Sequence, residues 1–158
     1  MKLFISLLLV VSIQSCLSQD KKNSAKKNSF KVTKTNAEWK KELSPEAYYV
    51  LRESGTERPF SSALNDNKSE GVYVCAACKT PLYKSENKFD SGTGWPSFDR
   101  VIAGNVAFSK GGNGFMGIEE HCATCGGHLG HQFNDGPKET TGKRHCINGV
   151  ALEFIPKS

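Results

Sequence analysis

The sequence predicts an antiparallel β domain preceded by two short helices. From Gly71 onward, short apolar or β-branched runs alternate with glycine, proline or Asn-Gly, which is the pattern of strands joined by tight turns. The runs cover residues 72–74, 101–108, 115–119 and 147–154. Before them, Ser44 as an N-cap and Pro45 at the first helical position predict one helix, and residues 37–43 form another.

The length and charge of the chain indicate a single domain without a nucleic-acid-binding surface. A chain of 158 residues can bury one core. Its formal net charge is +5, but residues 20–43 carry 8 lysines against 3 acidic residues, whereas 12 basic and 13 acidic residues follow from Ser44 onward. The basic excess therefore lies in an N-terminal segment, and the near-neutral domain suits a neutral substrate.

The N-terminus has the features of an export signal. After Met1 and Lys2, a largely apolar run of 11 residues at 3–13 is too short to span a bilayer but suits the core of a signal peptide. The following Gln14, Ser15 and Cys16 complete a sequence that resembles the cleavage box of bacterial lipoproteins. We therefore expect Cys16 to be lipidated and to anchor an exported protein to a bacterial membrane, facing the periplasm or the cell exterior. An ordinary cleaved signal is the alternative.

Between Ser18 and Lys34 the chain consists mainly of Lys, Asn and Ser. With almost no apolar residues to bury, such a segment cannot offset its ordering entropy and is predicted to be a flexible tether. We accordingly divide the chain into a signal peptide at 1–15, a lipidated cysteine with a basic tether at 16–35, and a catalytic domain at 36–158. Residues 111–114, Gly-Gly-Asn-Gly, lack the Lys-Ser/Thr of a phosphate loop and predict a hairpin turn.

Two Cys-x-x-Cys pairs predict a metal site. They are Cys75 with Cys78 and Cys122 with Cys125, and 43 residues separate the pairs. The spacing lets four thiolates surround one tetrahedral zinc ion at about 2.3 Å. A zinc ion with four thiolates has no open position, so it would be structural, would join distant strands and would disfavour metal-assisted hydrolysis. Two disulfides are the alternative for an exported protein.

Cys146 is the one cysteine left without an assignment. If this part of the chain is extended, Arg144, Cys146 and Asn148 share a face at intervals of about 7 Å. Arg144 would favour the reactive thiolate electrostatically, and Asn148 could form a hydrogen bond with a polar substrate oxygen. The alternative is an inert, buried cysteine beside a surface arginine.

A glycine-rich segment contains His128, His131 and Asp135. A histidine with a carboxylate partner can transfer a proton, and we rank this role first. A place in the core comes second, and a second metal site comes last because it would lack a third ligand. Trp95 stands in a sharp turn, where it could form a rim for an apolar methyl group or could belong to the core. His121 and His145 receive no role.

Together these motifs resemble the B-type methionine-R-sulfoxide reductases. Besides the two cysteine pairs, the matching stretches are Gly-Thr-Glu-Arg-Pro-Phe at 55–60, Lys-Phe-Asp-Ser-Gly-Thr-Gly-Trp-Pro-Ser-Phe at 88–98, His-Leu-Gly-His at 128–131, Asp-Gly-Pro at 135–137 and Arg-His-Cys-Ile-Asn at 144–148. The likeness spans about residues 39–154. It implies two antiparallel sheets with helices at the N-terminal side, and a zinc ion far from the catalytic thiol.

The resemblance also implies a reaction. Cys146 would attack the sulfur of the R epimer of methionine sulfoxide, free or in a protein, and would become a sulfenic acid as methionine is regenerated. Trp95, with Phe133, would pack the substrate methyl group. The sulfoxide oxygen would be held or protonated by His128, His131 and Asn148, while Asp135 and Arg144 would orient the histidine and the thiolate.

The implied reductant is an external thiol. The family often places a second cysteine where this chain has Thr93, and a hydroxyl cannot form the disulfide. We therefore expect a thioredoxin-like or glutaredoxin-like partner, or a small thiol, and a monomeric enzyme. His145 and Gln132 also depart from the family pattern. A zinc-knuckle binding module and a thiol peroxidase are the alternative functions.

Overall fold

The computed structural model describes residues 30–109 and 117–158. The predicted signal peptide, the lipidated Cys16, residues 16–29 of the tether and the hairpin turn at 111–114 lie outside these ranges. Residues 30–35, the end of the predicted tether, lie against the domain. The amide of Val32 donates to the carbonyl of Thr124 at 3.0 Å, and the ring of Phe30 meets that of His121 edge to face.

Two short helices open the domain, as predicted. Helix α1 spans Asn36–Glu42 and starts with a capping box between Thr35 and Glu38. Helix α2 spans Pro45–Glu53, and its N-cap is Ser44, whose hydroxyl accepts a hydrogen bond from the amide of Ala47 at 3.1 Å. None of the helices in the described ranges is long and apolar enough to cross a membrane.

The described residues form nine strands in two antiparallel sheets, which confirms the predicted fold. The strands are β1 Gly71–Cys75, β2 Pro81–Lys84, β3 Lys88–Phe89, β4 Ser97–Phe98, β5 Val106–Phe108, β6 Ile118–Cys122, β7 His128–Phe133, β8 Arg144–Ile147 and β9 Leu152–Pro156. The smaller sheet has the order β2-β1-β9, and the larger has the order β3-β4-β8-β7-β6-β5. Strand β8 therefore lies inside the larger sheet, between β4 and β7.

Three predicted strand boundaries were wrong. Only Val106–Phe108 of the run 101–108 is a strand, and the strand predicted at 115–119 is Ile118–Cys122 within the described residues. The run 147–154 is divided, because a 3-10 helix at Gly149–Ala151 separates β8 from β9. The carboxylate of Glu57 accepts hydrogen bonds from the amides of Gly149 and Val150, at 2.6 and 2.8 Å. A distant carboxylate stabilises this break, so apolar periodicity could not predict it.

The core fills the space between the helices and the sheets. Helix α2 packs against the start of β7, where a Cβ atom on Gly127 would come within 2.9 Å of Leu51. Between the sheets, the rings of Tyr83 and Phe98 stack with their centroids 4.4 Å apart, and Tyr73 meets Phe98 edge to face. Burial of these rings holds the two sheets together and fixes the position of β4 beside β8.

Candidate active site

Strand β8 places Cys146 at the centre of the larger sheet. Cys146 lies directly opposite Ser97 of β4 on one side and His131 of β7 on the other. Directly opposed residues of antiparallel strands share a face, so these three side chains lie on one face of the sheet. The nucleophile predicted from the sequence therefore stands on a strand that is paired along both edges.

A cavity of about 260 Å³ opens over this face. Its lining residues are Thr56, Trp95, Gly130, His131, Phe133, Cys146 and Asn148. It thus brings together five of the residues predicted for the site, with two aromatic side chains beside the thiol. Two larger depressions, of about 640 and 560 Å³, lie at the polar loops around Lys68 and Ser85 and contain no cysteine or histidine. Of these three cavities in the described part of the chain, the one at Cys146 is suited to thiol chemistry.

Gly130, which lines the cavity, lets the backbone of β7 lie close to that of β8. A Cβ atom there would lie 2.1 Å from the carbonyl oxygen of Cys146. Only glycine lets β7 approach β8 this closely, which explains the glycine between the two histidines of His-Leu-Gly-His.

Arg144 and Asp135 form an ion pair beside the cavity. The guanidinium of Arg144 donates two hydrogen bonds of 2.9 Å to the two carboxylate oxygens of Asp135 and lies 4.4 Å from the centroid of the Phe133 ring. The bonds from Arg144 lower the pKa of Asp135. In this structure Asp135 orients the arginine, and a different carboxylate pairs with a histidine.

That carboxylate belongs to Glu119, which the sequence analysis missed. Nδ1 of the buried His128 lies 2.9 Å from Oε1 of Glu119, and the hydroxyl of Ser109 donates to Oε2 at 3.0 Å. Burial raises the pKa of Glu119, but the contacts with His128 and Ser109 outweigh it and the net pKa is lowered. Nε2 of His128 is buried without a hydrogen-bond partner among the described residues.

His131 is the histidine that faces the cavity. Its ring lies 5.4 Å from that of His128, edge to face, while His128 does not line the cavity. Burial, followed by the proximity of His128, lowers the pKa of His131. A pKa below the ordinary value makes the neutral ring the dominant form at neutral pH.

The net effect of the surroundings on Cys146 differs from the sequence expectation. Arg144 does lower the pKa of Cys146 electrostatically, and Thr93 lowers it through a hydrogen bond. Burial raises the pKa more than these groups lower it. The resting thiol is therefore mostly protonated at neutral pH, and the fraction of reactive thiolate grows as the pH rises.

Asn148 and Glu57 connect the cavity to the segment before β1. The side-chain oxygen of Asn148 accepts from the amide of Glu57 at 2.9 Å, and its amide nitrogen donates to the carbonyl of Leu129 at 2.9 Å. The indole nitrogen of Trp95 donates to the carbonyl of Glu57 at 3.3 Å. One amide hydrogen of Asn148 stays available to a ligand. Glu57 belongs to the stretch 55–60 that resembles the family, but no pattern in the sequence predicts its hydrogen bonds to these distant residues.

His145, to which no role was assigned, points away from the cavity. Its Nδ1 lies 2.7 Å from Oε1 of Glu120, and the hydroxyl of Tyr83 donates to Oε2 of Glu120 at 3.0 Å. All three side chains are buried. Alternation along β8 predicted this opposite orientation, whereas the partners come from strands distant in sequence.

The four paired cysteines meet away from the cavity. Their sulfur atoms all lie within 4.8 Å of one another, with 3.8 Å between Cys75 and Cys125 and 3.5 Å between Cys78 and Cys122. Ligands at 2.3 Å in a tetrahedron would be about 3.8 Å apart, whereas a disulfide requires about 2.05 Å. The four thiols are free and could hold a metal ion.

The close contacts within the cluster couple the protonation of its four thiols. Hydrogen bonds among the thiols, the one with Cys125 foremost, lower the pKa of Cys122 to about 7, and similar bonds lower that of Cys78. The same contacts raise the pKa of Cys75 and of Cys125. The four thiols therefore titrate as one coupled group, and metal binding would require all of them to lose their protons.

Comparison with known proteins places this site in a family. The model of the SelR domain matches residues 43–156, which include the cavity and the cysteine cluster. The chain belongs to the SelR family. Every residue of the cavity and of the cysteine cluster lies within the SelR domain.

Three proteins with similar sequences carry the same name. A protein of Methanosarcina barkeri is 56% identical over 125 residues, which cover 78% of this chain and 87% of that protein. One of Methanosarcina mazei is 53% identical over 78% of this chain and 89% of its own length. One of Leptospira interrogans is 47% identical over 79% and 96%. All three are named peptide methionine sulfoxide reductase MsrB, which together with the SelR match confirms the family inferred from the motifs.

Proposed function

We propose that this chain reduces the R epimer of methionine sulfoxide, in proteins or as the free amino acid, to methionine and thereby repairs oxidised proteins. The observation that carries the proposal is the Cys146 thiol at the floor of a small cavity with aromatic walls, in a chain of the SelR family. This membership disfavours a zinc-knuckle binding module and a thiol peroxidase.

The reaction begins with attack by the sulfur of Cys146 on the sulfoxide sulfur. The attack forms a bond between the two sulfur atoms, and the sulfoxide S–O bond breaks as the oxygen transfers to Cys146. Cleavage of the S–S bond then releases methionine and leaves Cys146 as a sulfenic acid. The substrate is thereby reduced by two electrons and Cys146 is oxidised by two. The proton that the sulfoxide oxygen needs comes from the cavity side, where His131 lies directly opposite Cys146.

The remaining side chains bind and orient. Trp95 and Phe133 offer apolar contact to the substrate methyl group, and the spare amide hydrogen of Asn148 can bind the sulfoxide oxygen. The ring of His128 packs edge to face against that of His131, and the contact with Glu119 orients His128. Arg144, held by Asp135, favours the thiolate that attacks.

The direct test is turnover of the two separated epimers. We expect the purified chain lacking residues 1–19 to reduce methionine-R-sulfoxide with dithiothreitol and to reduce the S epimer at least about a hundredfold more slowly, because only one epimer can direct both its methyl group and its oxygen to matching walls. Hydrogen peroxide in parallel serves as the rival substrate. Equal turnover of both epimers, or faster consumption of peroxide, would count against the proposal.

We propose that the four-cysteine cluster holds one structural zinc ion. The support is the sulfur geometry and the all-thiolate ligand set. When bound, the ion contributes folding free energy and has no open position for a substrate. Its ligands do not line the cavity at Cys146.

We also propose that an external thiol regenerates Cys146. A thiol of a thioredoxin-like or glutaredoxin-like protein attacks the sulfenic acid, the oxygen leaves as water, and a second thiol resolves the mixed disulfide. The support is Thr93, whose hydroxyl oxygen lies 3.9 Å from the sulfur of Cys146 and which occupies the usual position of the family's resolving cysteine. The other four described cysteines are in the cluster.

This proposal predicts the state of Cys146 when no reductant is present. After one addition of substrate, mass spectrometry should find one added oxygen on Cys146 and no internal disulfide. When dimedone is present, its adduct with the Cys146 sulfenic acid should appear instead. In the matched Thr93→Cys variant the introduced sulfur lies within reach, so a disulfide should form and the dimedone adduct should disappear. An internal disulfide in the unmodified chain would refute the external route.

A further inference from the structure

Three hydroxyl groups form a continuous chain that ends at Cys146. The Thr93 oxygen lies 3.9 Å from the Cys146 sulfur and 2.8 Å from the Ser91 oxygen. The Ser91 oxygen in turn lies 2.7 Å from that of Ser97, and the Ser97 hydroxyl donates to the carbonyl of Trp95 at 3.1 Å. The chain begins at the reacting sulfur and ends on the backbone of a residue that lines the cavity.

Counting hydrogens fixes the direction of this chain. Each hydroxyl has one hydrogen, and a carbonyl can only accept. Because Ser97 donates to Trp95, it must accept from Ser91, and Ser91 must then accept from Thr93. Thr93 has no hydrogen left for Cys146, so the neutral thiol is the donor in its contact with Thr93. With the thiol protonated, only this direction satisfies all four contacts.

Ionisation of Cys146 requires the opposite direction. When the thiol proton leaves toward the cavity, the sulfur becomes an acceptor only, and Thr93 must donate to it. Rotation about the C–O bonds then lets Ser91 donate to Thr93 and Ser97 donate to Ser91. No heavy atom has to move, and the one bond lost is that from Ser97 to the carbonyl of Trp95.

We propose that Thr93, Ser91 and Ser97 form a reversible hydroxyl relay, in which Thr93 accepts from the Cys146 thiol and donates to its thiolate. Thr93 contacts the reacting atom and is a catalytic residue, whereas Ser91 acts through Thr93 and is a positioning residue. The threonine at the usual place of a resolving cysteine thus has a function of its own: it supplies a neutral donor to a buried sulfur that must become charged.

The charged groups around Cys146 do not fully stabilise its thiolate, so a neutral hydrogen-bond donor can contribute. Arg144 on β8 favours the thiolate, Asp135 beside it disfavours the thiolate, and the pKa of His131 on β7 is lowered so that the neutral form dominates. Burial of the sulfur raises its pKa more than the charge and the hydrogen bond of Arg144 lower it, so the hydrogen bond from the neutral Thr93 hydroxyl gives additional stabilisation to the thiolate. Ser97 is buried, so solvent does not replace the relay there.

The inference rests on the proposed role of Cys146 as nucleophile, but its test does not require sulfoxide reduction. The rate of alkylation of Cys146 by iodoacetamide is measured between pH 6 and 10.5 in the zinc-loaded chain lacking residues 1–19. Thr93→Val has the same shape without the hydroxyl, Thr93→Ser restores the hydroxyl, and Ser91→Ala interrupts the relay one step away. Thr140→Val, in an exposed turn, controls for the type of substitution.

We expect Thr93→Val to move the profile to higher pH and to slow alkylation at pH 7.5 about three- to tenfold, where tenfold corresponds to one pKa unit. Thr93→Ser should return the profile to that of the unmodified chain, and Ser91→Ala should give a smaller change of the same sign. A merely structural role would lower the thermal midpoint without moving the profile. A Thr93→Val or a Ser91→Ala profile superimposed on that of the unmodified chain would overturn the relay.

Discussion

Cys146→Ser is expected to lower the turnover of methionine-R-sulfoxide by at least about a thousandfold. A serine hydroxyl in the same position is a far weaker nucleophile than a thiolate and cannot take up the sulfoxide oxygen as a sulfenic acid. The substitution exchanges one polarisable sulfur atom for an oxygen on an internal strand and should leave the pairing of β8 with β4 and β7 unchanged. Steady-state turnover with dithiothreitol measures the effect.

Zinc content and the urea midpoint of unfolding serve as controls for that variant, because neither depends on the thiol. If Cys146→Ser kept its zinc and its stability but retained more than a tenth of the activity, another group would have to be the nucleophile. None of the other described cysteines is placed to be that group, since all four lie in the metal cluster.

Cys122→Ser is expected to abolish zinc binding and to destabilise the domain by about 3 kcal/mol or more. Cys75 ends β1 of the smaller sheet and Cys122 ends β6 of the larger sheet, so the ion would join the two sheets. Loss of one ligand removes metal-binding free energy that is also folding free energy. Elemental analysis gives the zinc content, and urea unfolding gives the change in stability.

The matched control is Cys146→Ser, which removes a cysteine outside the cluster and should keep one zinc per chain. A chelator should lower the unfolding midpoint of the unmodified chain toward that of Cys122→Ser and should leave Cys122→Ser itself unaffected. If Cys122→Ser unfolded at the same urea concentration as the unmodified chain, the cluster would have no structural role.

The features predicted well from the sequence are those with local causes. Ser44 and Pro45 define a helix start through a side-chain cap and a fixed backbone angle. The two-residue spacing of Cys75 and Cys78 predicts, within four residues, two ligands of one metal site. Alternation along residues 144–148 correctly separated Cys146 from His145. The family motifs then supplied the substrate and the arrangement of the sheets.

The features that the sequence could not predict depend on pairing between distant strands. Glu119 looks like any strand glutamate until the register of β6 and β7 places it opposite His131, from where its carboxylate reaches His128. The dominance of burial over Arg144 at Cys146 is likewise set by packing, which no local pattern measures. The direction of the hydroxyl chain requires interatomic distances, because serine and threonine at 91, 93 and 97 have ordinary roles in turns.

The central position of Cys146 has a consequence for which oxidised proteins can be repaired. A thiol on an internal strand, below a cavity of about 260 Å³, cannot move outward to meet its target, and the cavity admits a side chain but no folded surface. An oxidised methionine inside a native core must leave that core before it can react. The rate of repair would then follow the local unfolding of the client protein more than its amino-acid sequence.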